Sequence, residues 1–157
     1  MAEGEFALVQ KYLEIAVHKT AAWVGEHDLY AMLADAAVLQ RDESALQKYA
    51  PLAEEFAARY DHKLYQAIAH RARGVLHRLA GEYVEGESKL NEALDIFSDM
   101  NTRYQIGRTL FELGELATAQ TDTAKAREYF TRALAAFESM QAVPDATHTR
   151  NALGRLA

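Results

Sequence analysis

The chain has 157 residues, half of them hydrophobic and a quarter charged, with 2 Pro, 8 Gly, no Cys and a net charge of −6. That length suits one domain able to bury its own core. The missing Cys excludes disulfides, thiolate metal sites and a Cys nucleophile; an acidic balance with no basic tract argues against nucleic acid as a main partner.

Few breakers and much Ala, Leu and Glu favour helix, and the 3.6-residue spacing of apolar positions predicts eight short helices and no strand. The first covers about 5–20, with Phe6, Val9, Leu13, Ala16 and Val17 on one face. The second begins near His27-Asp28, with Asp28 as a candidate cap, and runs to about Leu39. A polar break at 41–44 precedes a third helix to about Tyr60, which Pro51 should bend. The fourth follows the break at 61–63 and ends at Gly81-Glu82; the fifth spans about 83–99 and the sixth about 103–120. Thr121-Asp122-Thr123 starts the seventh, and Pro144-Asp145 an eighth. Breaks this short make neighbouring helices pack antiparallel. The acidic start Met1-Ala2-Glu3-Gly4-Glu5 is no secretory leader, and no run approaches the roughly 20 apolar residues of a membrane span. A cytoplasmic location, with no membrane partner, is expected.

Two stretches repeat one pattern 40 residues apart: Gly74/Gly114, Leu76/Leu116, Ala93/Ala133, Leu94/Leu134, Phe97/Phe137 and Met100/Met140. A fixed period in this range marks a stacked repeat. Gly costs about 1 kcal/mol inside a helix relative to Ala, so its recurrence at one phase (Gly74, Gly114 and Gly154) points to a steric reason, two helices crossing closely. Ala126 and Ala133 are the small residues of the facing helix, with Phe130 and Phe137 filling the space between.

Leu113-Gly114, Ala117, Ala126, Phe130 and Ala133, with Leu153-Gly154 restarting the pattern, resemble the tetratricopeptide repeat, a helix–turn–helix unit usually of about 34 residues. A 40-residue step implies longer helices, as in arrays attached to bacterial transcription activators and signal-transduction ATPases. The resemblance implies an all-α fold: antiparallel helix hairpins stacked into a right-handed superhelix. The expected organisation is a leading capping helix or half-repeat over 1–25, units at about 26–63, 67–103 and 107–143, and a terminal helix at 145–157. The first unit departs from the pattern, with Leu33 at the Gly phase and an offset of 40 or 41.

The resemblance also implies a concave groove lined by the first helix of each unit. Its inward positions would be His27, Tyr30 and Ala34, then Ile68, Arg71, Val75 and Arg78, then Arg108, Phe111, Glu115 and Thr118, and last His148, Asn151 and Arg155, with Glu112 beside the row. Four inward Arg in an acidic chain fit a peptide with an acidic segment or a C-terminal carboxylate. The alternative is that they pair with the chain's own Asp and Glu. His70 and His77, seven apart, read as packed histidines, because i,i+4 is the chelating separation. No catalytic motif, metal cluster or cofactor loop is present. The expected function is a non-catalytic interaction module of a bacterial signalling or regulatory protein, taking a peptide or helix in its groove. Two alternatives stand beside it. One is a self-assembly module dimerising through the first helix, whose Leu8, Tyr12 and Ile15 form a second apolar face. The other is a peptide- or small-ligand-sensing regulator. A chain that starts and stops in mid-repeat would be a piece of a longer protein, or a dimer.

Overall fold

The computed structural model describes residues 8, 11–13, 15 and 25–156, of which the side chains of Glu26 and His27 are not included. Most of the expected leading segment, 1–25, therefore lies outside the described residues; positions 8, 11–13 and 15 are helical. From residue 25 onward the chain is seven helices: α1 (Glu26–Gln40), α2 (Glu43–Arg59), α3 (Lys63–Leu79), α4 (Tyr83–Asp99), α5 (Arg103–Ala119), α6 (Thr123–Ser139) and α7 (Val143–Gly154). Among the described residues no helix is long and apolar enough to cross a membrane.

One joint recurs between all of them. Residues 41, 61, 81, 101, 121 and 141 have positive φ, a step of 20 each time, and only one of them, Gly81, is glycine. The next N–H then reaches back five residues, from Asp42 to Ala37 (3.1 Å), His62 to Ala57 (2.9 Å), Glu82 to His77 (2.9 Å), Thr102 to Phe97 (3.0 Å), Asp122 to Ala117 (2.9 Å) and Ala142 to Phe137 (2.9 Å). This is the left-handed cap that satisfies the last free carbonyls of a helix. The residue making that bond is also the N-cap of the following helix. Two of the six, Asp42 and Asp122, also cap the following helix with their side chains, accepting at 3.0 Å from the N–H groups of Ala45 and Lys125. From α3 to α6 each helix has 17 residues, and a three-residue joint brings the step to 20. Two steps are the 40-residue period.

The first unit keeps that count, since its joint at Arg41 lies 40 before Gly81. The residue in phase with Gly74 and Gly114 is therefore Ala34, fully buried, and not Leu33. Two other expectations change here. The N-cap of α1 is Gly25 rather than Asp28; Asp28 bonds to the Tyr65 hydroxyl, which helps push Tyr65 up to about 12. α2 runs unbroken through Pro51, which sits on its exposed side, where water can serve the carbonyl that the ring leaves unbonded.

Hairpin partners cross where side chains are smallest. A Cβ on Gly74 would stand 2.6 Å from Leu90 Cγ, and one on Gly86 would stand 3.1 Å from the Gly74 carbonyl oxygen, so α3 and α4 approach almost backbone to backbone. In the next unit a Cβ on Gly114 would lie 2.6 Å from the Phe130 ring. Ala126 and Ala133 are fully buried beside it. Gly154 shares the phase but not the role, with no atom within 4 Å of its Cβ position. Leu90, Phe97, Phe130 and Phe137 are all essentially inaccessible, and burial of side chains of this size stabilises by about 1.5–3 kcal/mol each. The first helices of the units form an inner row, α1 packing on α3 and α3 on α5, with α7 against α6.

Candidate functional site

In phase with the later units, the inward positions of α1 are Asp28, Ala31, Asp35 and Val38, one residue on from the expected His27, Tyr30 and Ala34. Tyr30 is not a groove residue: its ring stacks on Phe56 of α2 at 4.9 Å, against the core. Asp35, absent from the expected set, is the hub of the inner row. It is the lone acid in the apolar run 29–39, so it needs a cation beside it.

Two guanidiniums supply that charge. Arg71 Nη2 on α3 donates to Asp35 Oδ1 at 2.8 Å, and Arg108 Nη1 on α5 donates to Asp35 Oδ2 at 2.6 Å. Arg71 is fully buried, with its guanidinium 5.1 Å from the Phe97 ring and its Nη1 3.4 Å from both Thr109 Oγ1 and the Gln105 carbonyl. Burial alone would raise the Asp35 pKa, but the two guanidiniums hold it below its ordinary value. Burial and the adjacent Arg108 lower Arg71 to about 10, which leaves it cationic at neutral pH. Arg108, although buried, is shifted up by Asp35.

Two further pairs continue the row. Arg78 Nη2 donates to Glu112 Oε2 at 3.1 Å, and burial still pushes Glu112 up against the pull of Arg78 and Arg41. Glu115 receives Arg41 at 2.8 Å and Arg155 at 3.3 Å, joining the end of α1 to the residue after α7. All four inward Arg thus pair with the chain's own carboxylates. Arg71, Arg78 and Arg108 form the floor of the groove, because their burial leaves them almost no surface for a ligand. Phe111 is also floor, 7% exposed and 4.8 Å from the His148 ring. Of the expected inward positions, Thr118, His148, Asn151 and Arg155 stand exposed. Arg41 joins them, with 42% of its side chain accessible.

Above this floor, between the end of α1, the middle of α5 and the start of α7, lies a cavity of about 130 Å³. Val38, Leu39, Phe111 and Phe137 form its apolar walls, and Arg108 and Asp145 are among its polar lining. On another face His70 sits between Glu54 (3.5 Å) and Glu92 (3.6 Å), and His77 meets Glu82 at 2.6 Å. Burial lowers the His70 pKa.

The repeated joints, the small residues at the crossings and the inner row together describe one architecture, and a family model for the tetratricopeptide repeat matches residues 65–139. Residues 65–139 are tetratricopeptide repeats. The matched stretch runs from the first turn of α3 to the end of α6, two full hairpins. Tetratricopeptide repeats generally mediate protein–protein interaction, as non-catalytic scaffolds. Among solved structures the chain is similar to BtubC (BKLC) from P. vanneervenii, with a TM-score of 0.72 and 18% identity over 98% of this chain. The chain spans 66% of that protein's length, and the likeness is one of fold. No curated protein matches the chain in sequence.

Proposed function

We propose that the chain is a non-catalytic interaction module of a cytoplasmic, bacterial signalling or regulatory protein, and that it takes an acidic peptide or helix along the concave side of its tetratricopeptide repeats. The observation that supports this reading is the convergence of Arg41 and Arg155 on Glu115. The two guanidiniums share one carboxylate, and their side chains remain 42% and 61% accessible on the rim. A rim with cation to spare favours a partner that brings carboxylates. Arg71, Arg78 and Arg108 would act indirectly, holding the floor in shape.

The test is binding of fluorescent acidic peptides to the wild type and to a variant carrying Arg41→Gln and Arg155→Gln. The expected result is affinity weakened by roughly threefold to tenfold, falling further with salt, at an unchanged helical signal. Peptides that bind both proteins equally, with no salt dependence, would overturn the groove reading.

A second reading has its own observation. Leu8, Tyr12 and Ile15 are 51%, 64% and 39% exposed, while Leu13 on the same segment packs against the core. That is an apolar face that no described residue covers, suited to a second copy across a two-fold axis. Tyr12→Lys with Ile15→Glu should then convert a dimer to a folded monomer by light scattering. A wild type already monomeric at high micromolar concentration would remove this reading.

A further inference from the structure

The cavity between the end of α1, the middle of α5 and the start of α7 lies over the groove floor, and most polar groups in its wall are spent within the chain. Arg108 is held by Asp35, and Glu112 by Arg78. Thr149 donates its hydroxyl to the Asp145 carbonyl at 2.8 Å, and the His148 ring lies 4.8 Å from that of Phe111. What remains for a ligand is an apolar wall of Val38, Leu39, Phe111 and Phe137 with one charge on either side. On the α1 side stands Arg41, 42% accessible, which shares Glu115 with Arg155. On the α7 side stands Asp145, which makes no ion pair among the described residues and meets only the Tyr104 hydroxyl, at 3.4 Å.

Size and charge together narrow the partner. The volume of about 130 Å³ falls short of the roughly 150 Å³ that holds benzene, so the cavity excludes an aromatic ring and admits a side chain of valine size. Burying an apolar group there is favourable only if the polar groups around it keep their bonds, and Arg108, Glu112 and Thr149 keep theirs inside the chain. A partner carboxylate meets Arg41 and Arg155, and a partner cation meets Asp145. Opposite signs on the two sides also reject a mismatched segment, because like charges across an interface are unfavourable. We propose that this cavity is the specificity pocket of the groove. It takes one valine-sized aliphatic side chain of a partner segment, with an acidic residue on its α1 side and a basic residue on its α7 side. The proposal rests on groove binding and adds to it one side chain and a second charge.

Fluorescence anisotropy with end-blocked peptides tests it. Each peptide carries a pair of glutamates, a central residue and a lysine, and is made in both chain directions. Valine at the centre should bind most tightly, with glycine and phenylalanine each weaker by about tenfold, the scale of burying one aliphatic side chain. Exchanging the lysine for glutamate should weaken binding by roughly threefold to tenfold in wild type and much less in Asp145→Asn. A purely structural Asp145 would move the melting curve and not that preference. Leu39→Trp narrows the cavity and should erase the advantage of valine over glycine, while the salt-dependent attraction to Arg41 and Arg155 persists. Peptides that bind through Arg41 and Arg155 equally well with valine, glycine or phenylalanine overturn the pocket and leave the groove reading standing. A valine advantage that survives Leu39→Trp overturns the pocket as well. Peptides that show no binding in either direction overturn the pocket and the groove reading together.

Discussion

Asp35 and Arg108 are 73 residues apart in sequence and 2.6 Å apart in space. Their helices belong to the first and third units of the array, with Arg71 of the second unit closing the same carboxylate from the other oxygen. Removing that carboxylate strands two buried guanidiniums. Asp35→Asn should therefore cost about 3–5 kcal/mol at pH 7, the range for breaking a buried pair from one side. Urea denaturation checks this, and a loss under about 1 kcal/mol would mean that water already serves both Arg.

The same group sets an acid limit. The folded-state pKa of Asp35 lies below its ordinary value, so its contribution is present above the unfolded value of about 3.9 and is lost as pH falls through the folded one. Wild type should lose stability on acidification below about pH 4 more steeply than Asp35→Asn. The two curves should converge at the acid end. Parallel curves would show that other carboxylates control acid unfolding.

Glycine in one repeat phase has two opposite meanings. Gly114→Ala drives a methyl group into the buried Phe130 ring and should destabilise by about 1–3 kcal/mol through overpacking. Gly154→Ala meets open space and should be neutral or stabilise by up to about 1 kcal/mol through helix propensity. Thermal melts of the pair decide it, and equal shifts would refute the crossing geometry.

The joints offer a gain. Thr121 is β-branched and held at φ 62, a conformation in which side chains other than Gly are strained. Thr121→Gly should raise stability by about 0.5–1 kcal/mol, and Gly81→Thr, at φ 80, should lower it by at least as much. Opposite signs in chemical denaturation are the expected result.

The repeat could be read from sequence because the positions that force it are chemically narrow. Where helices cross at Gly74 and Gly114, any side chain collides, so the spacing of those residues discloses the period. The joints hid themselves, because Arg, Asp, Asn, Thr and Gln occupy a conformation usually marked by Gly. The groove was harder. Leu33 drew the first unit one residue out of phase, which placed Tyr30 and Ala34 where Ala31 and Asp35 belong. That slip concealed the acid on which two of the four Arg depend. Charge enrichment along the row was visible, but sequence does not say whether a cation faces a partner or a carboxylate 36 residues away, as Arg71 faces Asp35.

A stacked array ordinarily behaves as a one-dimensional chain, each unit coupled to its neighbours and free to melt from the ends inward. The Asp35 bridge breaks that rule by tying the first unit to the third as well as to the second. With Arg41 reaching Glu115 from the same end, fraying of α1 takes away counter-charges buried inside α3 and α5. Loss of the first unit is therefore felt two units away. The inner helices α1, α3 and α5 are expected to open together rather than one unit at a time.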